Sequence, residues 1–394
     1  MKRKRILYIE SNMDGTIGGS YYSLLYLLEG LNRDRYEPHV LFCQDHILVP
    51  RFQKAAQGVL VYDYDPLGSN PLNSWRAIPR FVKHIVLKQP ELRKIIKRIE
   101  PDLVHLNNTY AANHEWIMAC LLNNIRIIAH DRGTRWNTTF QTRVFVRFLD
   151  AIIPVSDANM KVIIEEGLRP KRLRRVYNGL DTGKFEEYRS PEARQALREE
   201  LGIDRETILV GMVGNIDYWK GQLVFARAME ALMRGAGERT SIKGVIIGKT
   251  PMGAEAYESE IRGFLKLNNI DDRVRLLGYR HDVPQLLNAM DIFVHASVQP
   301  EPFGRVILEA MVMEKPVIAT KPGGPCEIVD DGVTGFLVPM NDHVSMRDAI
   351  LRYIQDPVRA KEMGKAARKA VEMKFPVSRM VRGVEEVYEE ILTP

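Results

Sequence analysis

The chain of 394 residues has few cysteines and no long apolar run. Its three cysteines, Cys43, Cys120 and Cys326, have neither the spacing of a zinc site nor that of a redox pair, which is typical of reduced cytoplasmic proteins. No apolar stretch approaches the roughly 20 residues that cross a bilayer. The apolar run after the basic N-terminus is too short for a secretory signal. We therefore expect a cytoplasmic protein.

Motifs for several ligand classes are also missing. No Gly-x-Gly-x-x-Gly turn is present for a dinucleotide, and the segment 244–250 is one residue short of a P-loop. The histidines and cysteines show no metal-ligand spacing, so we expect no cofactor and no metal requirement. Nucleic acid is not an expected partner, because no aromatic platform or recognition motif accompanies the basic residues.

Positive charge is concentrated in the first half of the chain. The net charge is +6, yet residues 1–185 hold 28 Lys/Arg against 18 Asp/Glu, whereas residues 186–394 hold 28 against 32. The two halves are therefore expected to face different partners, and the first half to face something anionic.

Short β-rich runs alternate with amphipathic helical patterns along the whole chain, which predicts parallel sheets covered by helices on both faces. Strands are predicted at 5–10, 39–43, 60–62, 103–106, 125–129, 151–155, 208–213, 244–247, 274–276, 292–296, 316–319 and 336–338. Among the predicted helices are those near 21–31, 219–233, 253–267, 304–313 and 342–372. We predict two doubly wound, Rossmann-like α/β domains, residues 1–185 and 186–375, facing a central cleft, and a final helix at 376–394 that crosses back to the first domain.

The segment EPFGRVILEAM at 301–311 carries two carboxylates, Glu301 and Glu309. Pro302 marks the start of a helix, so Glu301 is expected in a loop at a strand end and Glu309 about 10 Å away within the helix. Carboxylates so spaced can accept hydrogen bonds from both ends of a nucleotide diphosphate sugar. Two alternatives remain open from the spacing alone: an incidental acidic pair on a solvated helix, and the acid and base of a glycosidase.

Further motifs occur in order along the chain: GGS at 18–20, AHD at 129–131, YNGLD at 177–181, KG at 220–221, LGYR at 277–280, KPVIAT at 315–320, GGPCEIV at 323–329 and DGVTGFLVP at 331–339. Together with the segment 301–311, this set resembles the retaining, nucleotide-sugar-dependent glycosyltransferase family 4, whose members have the GT-B fold. The resemblance covers nearly the whole chain and is most specific from 291 to 339.

The resemblance implies roles for individual residues. Lys220 would neutralise the donor diphosphate, Glu309 would bind the ribose, and Glu301 would contact the transferred sugar. His130 would lie near that sugar, and we expect it to donate a hydrogen bond rather than to act as a base. Backbone groups are implied at four other positions: Gly18 and Gly19 near the phosphates, and Arg280 and Val283 near the nucleotide base.

The start of the predicted helix adds a second set of donor contacts. The amides of Phe303 and Gly304 could meet the phosphates there. One departure from the family concerns the residue after Gly214, where many members have a cation that pairs with the lysine; this chain has Asn215. We expect either Arg305 or backbone amides to replace that cation.

Two basic clusters could face an anionic membrane. Residues 74–100 carry eight Lys/Arg and two Glu interleaved with apolar residues, and residues 169–175 form a second cluster. The alternative is a core-packed helix with a solvated basic side. We predict a metal-independent, retaining, hexosyl-type transferase that moves a sugar from a nucleotide-sugar donor to a glycan or lipid-linked acceptor in cell-surface glycan or glycolipid assembly, peripheral at the inner membrane face. The rival functions are a non-catalytic nucleotide-sugar-binding scaffold, which Asn215 favours, and a nucleotide-sugar epimerase.

Overall fold

The computed structural model describes residues 2–11, 18–62, 78–133, 138–235 and 241–393. The chain divides into two compact units. The N-terminal unit comprises Met1–Gly179 together with Val377–Pro394, and the C-terminal unit comprises Leu180–Pro376.

The N-terminal unit, within the described residues, is built on a parallel six-stranded sheet in the order β3-β2-β1-β4-β5-β6. Its strands are β1 (Lys4–Glu10), β2 (Tyr36–Phe42), β3 (Gly58–Val61), β4 (Leu103–Leu106), β5 (Arg126–Asp131) and β6 (Ala151–Pro154). Its helices before the boundary are α1 (Gly19–Gly30), α2 (Val49–Ala55), α3 (Ile78–Ile99), α4 (His114–Leu122), α5 (Phe140–Phe145) and α6 (Asp157–Glu165). The central strands are buried along their apolar runs, as parallel strands covered on both faces must be.

The C-terminal unit repeats this plan with the strand order β12-β11-β10-β7-β8-β9 among its described residues. Its strands are β7 (Ile208–Val213), β8 (Ile242–Ile247), β9 (Val274–Gly278), β10 (Ile292–His295), β11 (Val317–Lys321) and β12 (Phe336–Pro339). Its helices are α7 (Pro191–Glu200), α8 (Gln222–Gly235), α9 (Glu255–Leu267), α10 (Val283–Ala289), α11 (Arg305–Val312), α12 (Pro325–Ile328), α13 (His343–Gln355) and α14 (Pro357–Lys374). The predicted α/β, doubly wound fold class is confirmed for both units.

The last helix, α15 (Val377–Leu392), belongs to the N-terminal unit. Its apolar residues recur at helical spacing and are buried, among them Val384, Val387 and Tyr388. A Cβ added to Gly30 of α1 would lie 2.7 Å from Cγ2 of Val381, so the glycine allows α15 to pack closely on α1. Ion pairs of Arg35 and Arg174 with glutamates of α15 add to this contact at the surface.

Two helix predictions were wrong in detail. The helix predicted at 342–372 is two helices, because Asp356 ends α13 and caps α14, where Pro357 occupies the first position. The helix predicted to start at Pro302 starts at Arg305, because Gly304 has a left-handed backbone with φ of 103°.

Candidate functional site

A close backbone approach in the C-terminal unit brings Lys220 towards Glu301. Lys220 ends a short turn after β7, and the next residue, Gly221, has φ of 73°. A Cβ added to Gly221 would lie 2.0 Å from the carbonyl oxygen of Ala296, directly after β10, so only glycine fits there. The amide of Val298 donates to the carbonyl of Trp219 at 2.8 Å and fixes the turn against this strand end.

The Glu301 carboxylate lies among three donors. Its Oε2 accepts from Lys220 Nζ at 2.7 Å, from His295 Nε2 at 3.2 Å and from Ser297 Oγ at 3.2 Å. Burial alone would raise the pKa of Glu301, but the charge of Lys220 and the hydrogen bond from His295 outweigh it and hold the pKa well below its usual range. Glu301 is therefore an ionised carboxylate in a buried site.

The backbone of Glu301 is held by two glycines that follow β11. The amide of Gly324 donates to the Glu301 carbonyl at 2.8 Å. Gly323 has φ of 129°, and a Cβ there would lie 2.7 Å from the same carbonyl oxygen. The motif GGPCEIV thus contributes a backbone clamp that sets the position of Glu301.

Arg305 and Glu309 form the second ion pair of the site. Both lie on α11, and the distance from Arg305 Nε to Glu309 Oε1 is 2.8 Å. Arg305 was one of two predicted replacements for the missing cation beside Lys220. In the structure its guanidinium is engaged by Glu309, so Arg305 does not stand as an additional uncompensated charge.

Phe303 and Gly304 precede α11 rather than forming its first turn. The Phe303 side chain is buried, with its ring centroid 5.7 Å from that of Phe375. A Cβ added to Gly324 would lie 2.4 Å from the Cα of Phe303, so the glycine loop and this segment are in tight contact. The predicted phosphate contact of the two amides stays a prediction, but the amides lie ahead of the helix.

Asn215 follows β7 and is held through its backbone. Its carbonyl accepts a hydrogen bond from Nε2 of the buried Gln222 at 2.7 Å. A Cβ added to Gly248 would lie 1.9 Å from the carbonyl oxygen of Gly214, so the ends of β7 and β8 pack closely here. The predicted role of Asn215 at the donor stays open.

The loop before α10 carries the two positions predicted to meet the nucleotide base. Arg280 pairs with Asp282 at 2.6 Å and with Glu200 at 3.1 Å, and Val283 is the first residue of α10. These two ion pairs occupy the guanidinium of Arg280. A contact with a base from this position would therefore come from the backbone.

His130 is a fully buried residue of β5 in the N-terminal unit, whereas the sequence placed it just past the strand. Its Nδ1 lies 3.3 Å from Nη2 of Arg132. Because a guanidinium only donates, Nδ1 must accept, and the ring proton of the neutral imidazole sits on Nε2. Nε2 has no hydrogen-bond partner among the described residues. Burial, Arg132 and His105 all lower the pKa of His130 far below its usual value, so the ring is a neutral donor.

His130 packs against a second histidine, His105, that belongs to a chain of hydrogen bonds. The ring of His105 stacks on that of His130 at 5.5 Å with an angle of 9°. Nδ1 of His105 lies 2.6 Å from the hydroxyl of Tyr388 on α15, and that hydroxyl donates to Tyr8 at 2.9 Å. His105 therefore donates to Tyr388. Burial and the charge of Arg132 lower the pKa of His105 to about 3, so the stacked pair is uncharged.

Other polar side chains gather at the carboxyl ends of β1 and β4. The buried Glu10 accepts from Asn107 Nδ2 at 2.5 Å and also from Asn108. Arg132 donates to the carbonyl of Asn107 at 3.0 Å and to Asn178. This cluster was not predicted from the sequence, although the polar residues directly after the apolar strands at 5–10 and 103–106 were a usable signal. His295 and Ser297, which lie between the end of β10 and Glu301, were not predicted either.

Gly18 and Gly19 lie at the start of α1. Gly18 is the extended residue before the helix, and a Cβ added to it would meet no described atom within 4 Å. Residues 12–17 lie outside the described residues, so the predicted phosphate contact stays a prediction.

The two basic clusters differ in the structure. Residues 74–77 of the first lie outside the described residues; the remainder forms α3, with seven Lys/Arg and one Glu. In the second cluster, by contrast, Lys171, Arg174 and Arg175 pair with Asp150, with Glu386 and Glu390, and with Asp157. Three of the five cations at 169–175 are therefore paired within the unit, and the predicted contact of this cluster with an anionic membrane stays a prediction.

Two features are absent from the described part of the chain. None of its helices is long and apolar enough to pass through a lipid bilayer. The same residues contain no group of three or more His, Cys, Asp or Glu side chains arranged to hold a metal ion.

Known proteins are similar in sequence to this chain over most of its length. The sequence model described as Glycosyltransferase Family 4 matches residues 17–184, and that described as Glycosyl transferases group 1 matches residues 193–370. Alpha-maltose-1-phosphate synthase of Mycolicibacterium smegmatis is 30% identical over 79% of this chain and 89% of its own length. UDP-Gal:alpha-D-GlcNAc-diphosphoundecaprenol alpha-1,3-galactosyltransferase of Escherichia coli is 26% identical over 76% and 78%.

A solved structure agrees with this relationship. Anabaena Alr3699/HepE in complex with UDP-glucose is 26% identical and superposes with a TM-score of 0.79, covering 98% of this chain and 99% of that one. Its fold matches both sheets described above. The chain therefore belongs to glycosyltransferase family 4 and is a GT-B glycosyltransferase that acts on nucleotide sugars.

Proposed function

We propose that the protein is a retaining, metal-independent hexosyltransferase that moves a sugar from a nucleotide-sugar donor to a glycan or lipid-linked acceptor in cell-surface glycan or glycolipid assembly. The observation that carries this proposal is the partly buried contact between Lys220 and the ionised Glu301. Charged groups are rarely withdrawn from water without a task or a partner. Here a cation after β7 and an anion after β10 meet, and these are the two residues to which the family resemblance assigns the diphosphate and the sugar.

The donor side of the mechanism relies on charge. As the bond to the anomeric carbon breaks, negative charge develops on the leaving diphosphate, and the ammonium of Lys220 would stabilise it. Lysine has three donors, so Lys220 can offer more than one of them to the phosphate oxygens. Glu309 would accept from the ribose hydroxyls once these replace Arg305.

The sugar side relies on neutral hydrogen bonds. His130 carries its proton on Nε2 and is uncharged, which suits a donor to a sugar hydroxyl. A base that activates the acceptor from the opposite face is not needed when configuration is retained. The buried neutral histidine therefore supports positioning rather than proton abstraction.

Two of the similar proteins indicate candidate compounds for the donor and the acceptor. The Anabaena protein binds UDP-glucose, and the Escherichia coli relative is named for UDP-galactose and an acceptor linked to diphosphoundecaprenol. A UDP-hexose is therefore our first candidate donor, and a polyprenol-linked glycan our first candidate acceptor.

Helix α3 is the proposed contact with the membrane that would carry such an acceptor. Its first half exposes apolar side chains, with Val86 and Leu87 60% and 62% exposed, and its second half exposes Arg93, Lys94, Lys97 and Arg98. Apolar residues that enter the acyl boundary beside cations that meet anionic headgroups are the pattern of an interfacial helix. We propose peripheral attachment at the inner membrane face through α3.

Product analysis tests the transfer. Purified protein is incubated with UDP-hexoses and a short-chain polyprenyl diphosphate-linked sugar, without added metal, and the product is isolated. We expect transfer with an α-anomer from an α-linked donor, read from the anomeric proton coupling by NMR. An inverted product would overturn retention, and donor binding without transfer to any acceptor would favour the scaffold function, in which both ion pairs stay closed.

Liposome pelleting tests α3. Replacement of its last four exposed cations by glutamine should reduce binding to anionic vesicles strongly, since each cation near the surface contributes about 1 kcal/mol. The matched control replaces Lys171, Arg174 and Arg175 by glutamine. These cations already form ion pairs within the unit, so the control should change pelleting little. Equal pelleting of the α3 variant and the wild type would contradict the proposal.

A further inference from the structure

Lys220 faces two demands that compete. In the structure it holds the Glu301 carboxylate, and under the proposed function it must also bind the donor diphosphate. A diphosphate carries more charge than one carboxylate and will draw the ammonium towards itself. Unless another group holds Glu301, the carboxylate can follow the lysine and leave the sugar.

His295 and Ser297 are placed to hold it. His295 is the last residue of β10 and is 4% exposed; Ser297 is buried two residues later. Both contact Glu301 Oε2 at 3.2 Å, and they lie 3.1 Å from each other. The carbonyl of Ser297 accepts from Thr320 of β11 at 2.8 Å, which ties this loop to the sheet. The two donors therefore come from a strand end and not from the mobile end of a long side chain.

The proton of His295 can be placed from its surroundings. Nδ1 is buried and has no hydrogen-bond partner among the described residues. A buried N–H without an acceptor costs its full desolvation, whereas an unused lone pair costs less. The proton therefore sits on Nε2 and is donated towards Glu301 Oε2. Hydrogen bonds to this carboxylate from the described residues all go to Oε2, which leaves Oε1 for a ligand.

We propose that His295, assisted by Ser297, is a positioning residue: it fixes Glu301 Oε2 so that Oε1 meets the transferred sugar while Lys220 turns to the diphosphate. The inference rests on the proposed function, because it assigns the sugar contact to Glu301. It separates two tasks that the Lys220–Glu301 pair alone would couple, since nucleotide binding needs Lys220 and sugar placement needs His295.

The test compares His295→Leu with His295→Gln, whose amide nitrogen can reach the place of Nε2. The matched control is His343→Gln, outside the site. For each protein, kcat and KM for the UDP-hexose donor, the Kd of UDP and the Tm are measured. His295→Leu is expected to lower kcat by about 10²-fold, the cost of a misplaced reacting group, while the Kd of UDP stays within about threefold. His295→Gln should recover most of the loss.

Three results would overturn the assignment. The first is a kcat for His295→Leu close to that of the wild type. The second is an equal loss in the Leu and Gln variants at unchanged Tm, which would exclude the hydrogen bond as the cause. The third is a loss seen in the Kd of UDP instead of kcat. If the wild type binds UDP-hexoses but turns none of them over, the proposed function itself is wrong. That result can be seen before any variant is made.

Discussion

The two units of the molecule differ in the charge of the polar side chains at the carboxyl ends of their strands. In the C-terminal unit the groups are charged and paired, Lys220 with Glu301 and Arg305 with Glu309. In the N-terminal unit the two buried histidines are neutral: His105 donates a hydrogen bond to Tyr388, and His130 stacks on His105 and accepts from the charged Arg132. Both sheets have the same plan, so the difference lies in the ligands and not in the fold.

This contrast matches the two ends of the proposed reaction. A nucleotide diphosphate is an anion whose charge grows as the bond breaks, so its site needs cations held ready by carboxylates. A sugar hydroxyl is neutral and is recognised by well-placed uncharged donors and acceptors. In this account the ion pairs would hold the charged groups of the C-terminal unit until a donor replaces one partner of each pair, and the buried hydrogen bonds would keep the neutral histidines rigid.

Removing the cation should have the largest effect. Lys220→Ala leaves Glu301 without its nearest positive charge and removes stabilisation of the leaving diphosphate, so kcat/KM should fall by about 10²–10³-fold, or roughly 3–4 kcal/mol. Initial rates of UDP release measure this. Lys369→Ala, an exposed lysine of α14, is the control and should keep the wild-type rate. Equal rates in both variants would break the contrast between the units.

A fall in pH should lower the stability of the N-terminal unit, which holds the neutral histidines, before it affects Glu301. The pKa of His105 is about 3 in the folded protein, against about 6.5 when unfolded, so between these values the unfolded state binds the extra proton and stability falls as pH falls. At pH 5 the loss that His105 contributes is about 2 kcal/mol. The fall in Tm from pH 7.5 to 5 measures it.

The variant His105→Asn can still donate to Tyr388 but does not titrate, and should show a smaller fall in Tm. The same fall in the variant and the wild type would show that His105 is not the source. The ionised Glu301 also contributes to stability, because its pKa is lowered in the folded protein. That contribution is lost only as the pH falls below about 4.3.

Tyr388→Phe should have a smaller effect. It removes the hydroxyl that joins His105 to Tyr8 and leaves a buried donor without its acceptor, at a cost of about 1 kcal/mol. A lower Tm together with a reduced kcat would indicate that α15 supports His130 through the stacked ring. An unchanged Tm would mean that the chain contributes nothing to the rigidity of the neutral site.

Removal of divalent metal should change nothing. Because Lys220 supplies the positive charge in our account, activity in excess EDTA should equal activity in magnesium. Initial rates in the two buffers decide it. A rate that disappears in EDTA and returns with magnesium would show that the protein cations are not sufficient.

The fold was largely readable from the sequence because parallel strands buried on both faces are continuous apolar runs. Every predicted strand coincides with one in the structure to within a few residues. Helix ends were read less well: the left-handed Gly304 delays α11 beyond Pro302, and the cap at Asp356 splits one predicted helix into two. Such ends depend on single backbone angles, which periodicity does not report.

The sequence singled out residues that occur in family motifs, and it did not single out residues whose surroundings depend on contacts distant along the chain. Glu301 and Lys220 were predicted from family motifs 81 positions apart, and the structure places them 2.7 Å apart. His295, Arg132 and Tyr388 were not predicted, because their importance lies in partners far along the chain or in a proton position. The pairing of Arg305 with Glu309 was likewise invisible, although their i, i+4 spacing on one helix allowed it.

Ligand-induced thermal stabilisation decides whether the ion pairs of the C-terminal unit form a donor site. The wild type and Glu309→Ala are heated without metal in the presence of UDP-, GDP- and ADP-sugars. We expect the UDP-sugars to stabilise the wild type by about 2.7 kcal/mol at 100 times their Kd, and the variant to lose this effect. Stabilisation of both proteins alike, or of neither by any nucleotide sugar, would contradict a donor site built from the ion pairs of the C-terminal unit.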